Sequence, residues 1–142
     1  MYEPIRTKSV HSTMAGTTSE FPHRSREEEL DIQLAGHLAA LLTVTDELRA
    51  LTPCADLDTA AERLAEQVAR LRGGHAPVRA SSVTTVGGPC ALHQRAHALA
   101  GRALVVAASR ADTAAAILAA ERMDAHAAAT RNEPQELSGA AH

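Results

Sequence analysis

Cys90, His93 and His97 form the sharpest chemical cluster in this sequence. At positions i, i+3 and i+7 they fall within about 60° of one another on a helix, which turns about 100° per residue. A thiolate and two imidazoles are natural zinc ligands, and His37 could add a fourth from a facing helix. Against that, the chain holds eight histidines, so chance produces such spacings readily. A zinc site is also normally built from two separated ligand pairs, and only one segment here is suited to the task. No metal or other cofactor is therefore expected. The alternative is a helical metal or small-ligand sensor that uses Cys90, His93 and His97, with zinc as the metal.

The same residues could support thiol chemistry. Cys90 lies in a first helical turn, where the helix dipole lowers a thiol pKa, and His93 is one turn further on. A Cys–His nucleophile also needs an orienting third group and an oxyanion site. Neither can be picked out, so no catalytic residue is assigned and a thiol-dependent enzyme is the third reading. Gly87-Gly88 could offer amides to an anion at a helix start, yet it lacks the lysine and spacing of a phosphate loop. His37, set among leucines, reads first as a packed or partly exposed histidine. Asp46-Glu47 and Glu62-Glu66 read as solvated helix faces, with Glu66 and Arg70 spaced for an i,i+4 pair.

The elements that must position these residues are helical. Ser25 and Glu28 have capping-box spacing, with Glu27 to Glu29 in the first turn. Leu34, Leu38, Leu41, Thr45 and Leu48 then step by four, three, four and three, and Pro53 ends the helix near Leu51. A second helix is predicted from Asp58 or Thr59, where Thr59 and Glu62 repeat the capping box, to the stop at Gly73-Gly74. Leu57, Ala61, Leu64, Val68 and Leu71 form its seam. The short turn at Pro53 predicts an antiparallel hairpin.

Residues 75–88 form a loop, with some strand propensity at Val83 to Val86. From Pro89 to Thr130 the chain is dense in alanine, with no internal proline and only Gly101 as glycine. It reads as one helix of roughly 40 residues, about 60 Å long. It carries two apolar stripes, one through Leu92, Leu99 and Val106 and the other through Leu104, Ala108 and Leu118. The second helix is too short to cover it, so its second half either projects or breaks near 109–112 and folds back as a fourth helix. The fold class is therefore an all-α three- or four-helix bundle, an antiparallel hairpin packed on a long Ala-rich C-terminal helix. The bundle spans 25–130, between a flexible arm at 1–24 and a flexible tail at 131–142. The expected core is Leu34, Leu38, Leu41, Leu48, Leu64, Val68, Leu71, Leu92, Leu99 and Val106.

Composition narrows the function classes. The 142 residues suit one domain, and their formal charge of −3 comes without any run of lysine or arginine. That leaves no basic footprint for nucleic acid. Tyr2 and Phe21 are the sole aromatics, and Lys8 the sole lysine. The Ala, Gly, Arg and Pro bias fits a high-GC bacterial genome, which discounts part of the alanine. There is no apolar leader and no membrane-length stretch, so a cytoplasmic location is expected, with no membrane partner. Cys54 and Cys90 should sit at opposite ends of the second helix, about 20 Å apart and beyond disulfide reach. The preferred function is a non-enzymatic interaction or regulatory protein that works by helix packing, as a homo-oligomer or with another helical protein.

Overall fold

The computed structural model describes residues 24–80 and 87–141. The arm before residue 24 and the strand-prone segment Val83 to Val86 lie outside them. Among the described residues the chain forms four helices and no strand: α1 (Arg26–Leu51), α2 (Ala55–Leu71), α3 (Gly88–Arg110) and α4 (Thr113–Ala141). The fold is an all-α bundle, and no helix among these residues is long and apolar enough to cross a membrane.

The capping box opens α1 as its spacing predicts. Ser25 Oγ accepts from the Glu28 N–H at 3.1 Å, and Glu28 Oε1 accepts from the Ser25 N–H at 2.8 Å. α2 starts earlier than predicted. Its N-cap is Cys54, held extended after Pro53, which leaves Asp58 and Thr59 inside the helix. Asp56 and Asp58 favour this start by placing negative charge in the first turn, although Cys54 makes no side-chain cap. The glycine stop holds: the Gly74 N–H closes on the Ala69 carbonyl at 2.6 Å, with Gly73 and Gly74 both at positive φ. At the start of α3, Gly87 takes φ 117°, and a Cβ there would come within 2.9 Å of the Ala91 Cβ.

The 89–130 run is not one helix. It breaks at Ala111 and Asp112, and α4 folds back along α3. Ala111 takes φ 60° and ψ 35°, the left-handed conformation that ends helices, and the Asp112 N–H reaches back to the Ala107 carbonyl at 2.8 Å. Asp112 then caps α4, accepting from the Ala115 N–H at 3.2 Å. Its other carboxylate oxygen takes a hydrogen bond from Arg70 at 2.8 Å, which ties the turn to the end of α2. The backbone of α4 stays helical past Thr130, where the sequence suggests the helix ends, to Ala141.

Ion pairs fix the directions of the helices. Arg110 at the end of α3 meets Asp31 near the start of α1 at 3.1 Å, so these two are antiparallel. Between α2 and α3 the chain returns along the bundle, because Arg79 and Ala80 bind Asp46 near the end of α1. α2 and α3 are therefore parallel, joined by one long crossover. This overturns the expected separation of the cysteines. Cys54 lines one pocket with Pro89, so Cys54 and Cys90 belong to the same end of the bundle. Both thiols are free.

The core runs mainly between α1 and its neighbours α2 and α3. Leu34, Leu38, Leu41, Leu48, Leu64, Val68, Leu92 and Leu99 are buried as expected, whereas Leu71 and Val106 are half-buried at its edge. Each fully buried leucine contributes about 1.5–3 kcal/mol. α3 and α4 pack through small residues: Ala96, Ala100, Ala103 and Ala107 on α3 and Ala115 and Ala119 on α4 are fully buried. α2 and α4 touch only sparingly. Their seam is bridged by Arg122–Asp56 at 3.1 Å and Arg63–Glu121 at 3.9 Å, with Arg70–Asp112 at its end.

Asp46 and Glu47 are not solvated, contrary to the sequence reading; they are 4% and 2% exposed. The returning crossover covers Asp46 through Arg79 and Ala80, and the periodicity of α1 carries no information about that path. Arg79 grips Asp46 through Nε and Nη2, both at 2.8 Å, Arg49 donates at 3.1 Å and the Ala80 N–H at 3.2 Å. Burial alone would raise the Asp46 pKa, but these donors outweigh it and hold the carboxyl below its ordinary value.

Candidate functional site

The break at Ala111 brings α4 back to the start of α3, and so creates a site that a straight helix could not have. His93 on α3 meets His126 on α4, with the two Nδ1 atoms 2.9 Å apart. One turn before His126, Arg122 brings Nη2 to 3.4 Å from His126 Nε2. Arg122 Nη1 donates to Asp56, at the start of α2, at 3.1 Å. Arg122 and His126 are 5% and 1% exposed, at the level where α2, α3 and α4 converge.

The hydrogen-bond roles follow from the donors. A guanidinium can only donate, so His126 Nε2 must be the acceptor. The neutral His126 ring then carries its proton on Nδ1 and donates it to His93 Nδ1, which leaves the His93 proton on Nε2. The chain of bonds runs one way, from Arg122 through His126 to His93. His126 is held neutral: burial lowers its pKa to about 3, aided by the charge of Arg122 and by His93. Asp56 pulls weakly the other way, and His97 adds a small depression.

These residues line a pocket of about 270 Å³ whose other walls are largely hydrocarbon, from Leu48, Leu57, Pro89, Ala125 and Ala129. Its rim holds Cys54 and Asp56. Arg122 also lines an adjoining pocket of about 240 Å³ along the α2–α4 seam, with Arg63, Leu118 and Glu121. The guanidinium is poorly satisfied for a group so buried. Its Nε has no hydrogen-bond partner among the described residues, and its one carboxylate partner, Asp56, has a side chain 68% exposed.

Of the residues singled out in the sequence, His93 belongs to this site. Cys90 is half-buried one turn earlier, its sulfur accepting weakly from Gln94 Nε2 at 3.8 Å. His97 faces a shallow groove with Gln94, Ala127 and Thr130. His37 does not join them. The Asp31–Arg110 pair sets it level with Leu104, about 10 Å along the axis from His97. Among the described residues, no three His, Cys, Asp or Glu side chains come together as a metal-holding group. The sequence reading missed Arg122 and His126. Their i,i+4 spacing marks one helix face, but only a break at 111–112 turns that face toward His93.

A second surface lies on the outside of the α3–α4 pair. A shallow groove of about 290 Å³ is lined by Ala107, Ala108, Ala111, Ala116, Ile117 and Ala120, together with Asp112 and Thr113. Ile117 is 55% exposed and Val105, on the adjoining turns of α3, 66%. Further down the same pair, a Cβ on Gly101 would lie 3.7 Å from the Met123 methyl, so the two helices run close there. The chain matches no known protein-family model, and no curated protein or solved structure is significantly similar to it.

Proposed function

We propose that this protein is a non-enzymatic interaction or regulatory module that acts by helix packing, and that it pairs with a second copy of itself through the outer α3–α4 face. The observation that supports this most is the alanine-lined groove beside two exposed branched residues, Val105 and Ile117. Knob and hole on one face are self-complementary under two-fold symmetry, where each copy presents the same patch. An apposed helix can approach an alanine surface closely, and burying Val105 and Ile117 removes large apolar groups from water at about 25 cal/mol per Å². Charge is consistent with the pairing. The exposed edge of α3 carries Arg95 and Arg102 and that of α4 carries Asp124, so α3 of one copy against α4 of the other brings opposite signs together.

The test is sedimentation velocity over a concentration series, for the wild type and for Val105→Asp combined with Ile117→Asp. The expected outcome is a concentration-dependent shift toward dimer in the wild type and a monomer throughout in the variant, with unchanged helical circular dichroism. A wild type that stays monomeric at the highest concentrations, or a variant that dimerises equally well, would overturn the proposal.

A further inference from the structure

The α2–α4 cleft raises a question independent of self-association: what satisfies Arg122. Burying a cation is costly unless it is paired and hydrogen-bonded. A guanidinium offers five N–H donors. Here one reaches Asp56 at 3.1 Å, one makes a long 3.4 Å contact to His126, and Nε has no partner among the described residues. Nε itself is fully buried, so an incoming carboxylate reaches the guanidinium where Asp56 does, at Nη1. Asp56 shows that a carboxylate reaches this guanidinium. Its contact is single and its side chain mostly in solvent, so a competitor can displace it at little cost.

We propose that the cleft binds a small organic monocarboxylate, with its carboxylate on the Arg122 guanidinium and its aliphatic body against Leu48, Leu57 and Ala125. The walls select this class. They are mostly hydrocarbon, as in ligand pockets generally, with few convergent polar groups. The volume of about 270 Å³ lies just below the range of about 300 to 1,000 Å³ that holds drug-sized ligands, so it suits only a small molecule. A dianion such as phosphate is disfavoured, because Asp56 on the rim and Glu121 in the adjoining pocket leave Arg122 as the one buried cation between them among the described residues. Cys54 adds no side-chain cap at the start of α2, so the first amides of that helix also favour an anion at this end.

The experiment uses the full chain with butyrate as probe, and butanol and inorganic phosphate as controls. Binding is read by the Arg122 Nε–H signal in nitrogen-15 NMR and by the melting temperature. Butyrate is expected to shift the Nε–H signal saturably and to raise the melting temperature, while butanol and phosphate do neither. Arg122→Gln removes both effects. Should that variant fail to fold, Asp56→Asn provides the independent arm. Removal of the competing carboxylate is expected to tighten butyrate binding several-fold, whereas a purely structural Asp56–Arg122 pair would leave affinity unchanged. No response to butyrate, a response that survives Arg122→Gln, an Asp56→Asn variant with unchanged affinity, or an equal response to phosphate would each overturn the proposal.

Discussion

Acidification should destabilise this bundle through His126, and the size of the effect can be worked from the structure. The folded site holds the ring neutral with a pKa of about 3, against an ordinary 6.5. Burial is the main cause, the Arg122 and His93 neighbours add to it, and Asp56 opposes it. Between about pH 6.5 and 3 the unfolded chain takes up a proton that the folded one refuses. The unfolded state thus binds more protons in that window, and stability falls as the pH drops through it. At about 1.36 kcal/mol per pH unit the full gap is worth roughly 5 kcal/mol, and about half of it is lost between pH 7 and pH 4.5. Domains of this size are stable by about 5–15 kcal/mol in total, so the loss is readily measured. Asp46 titrates below the range from pH 7 to pH 4.5. Its carboxyl is held below 3.8, so its contribution is intact above that pH and is lost only as the pH falls further.

The assay is urea unfolding followed by far-UV circular dichroism from pH 7 down to pH 4.5, for the wild type and for His126→Gln. The variant is expected to be less stable at neutral pH, because it disturbs the contacts to Arg122 and His93, and flatter across the range by about 2–3 kcal/mol. Parallel profiles for the two proteins would refute the reasoning, because the pH dependence would then arise elsewhere.

Other predictions follow from single contacts. Ala111→Gly relieves the left-handed alanine at φ 60° and should raise stability by about 1 kcal/mol, read as a melting temperature a few degrees higher. Asp46→Asn removes the charge that Arg79 and Arg49 share. Both arginines are partly exposed, so the expected loss is about 1–2 kcal/mol, with faster tryptic cleavage after Arg79 as the crossover comes free.

Parts of this fold can be read directly from residue spacing. Ser25 with Glu28, Pro53, Gly73-Gly74 and Pro89 mark helix ends by local chemistry, and the leucine seam of α1 marks its buried face. What spacing does not carry is the path of the chain between helices. The crossover runs back along the bundle, and that single fact buries Asp46 and brings the start of α3 to the end that holds Cys54. The break in the 89–130 run is half legible: Asp112 is a good N-cap, but an alanine in the left-handed position gives no signal where glycine would. For the same reason His93 can be found in the sequence while its partner His126 cannot. The two lie 33 residues apart, and only the turn at Ala111 sets them side by side.

The central claim is that the outer α3–α4 groove receives a second copy of the chain. It is tested most directly by a nitroxide at position 108, using Ala108→Cys in a protein whose Cys54 and Cys90 are replaced by alanine. Ala108 lies in the groove and is exposed. Pulsed electron spin resonance should give one short, narrow distance between the labels of two protomers, lost on adding Ile117→Asp. The absence of any intermolecular distance, or one that persists with Ile117→Asp in place, would contradict the account.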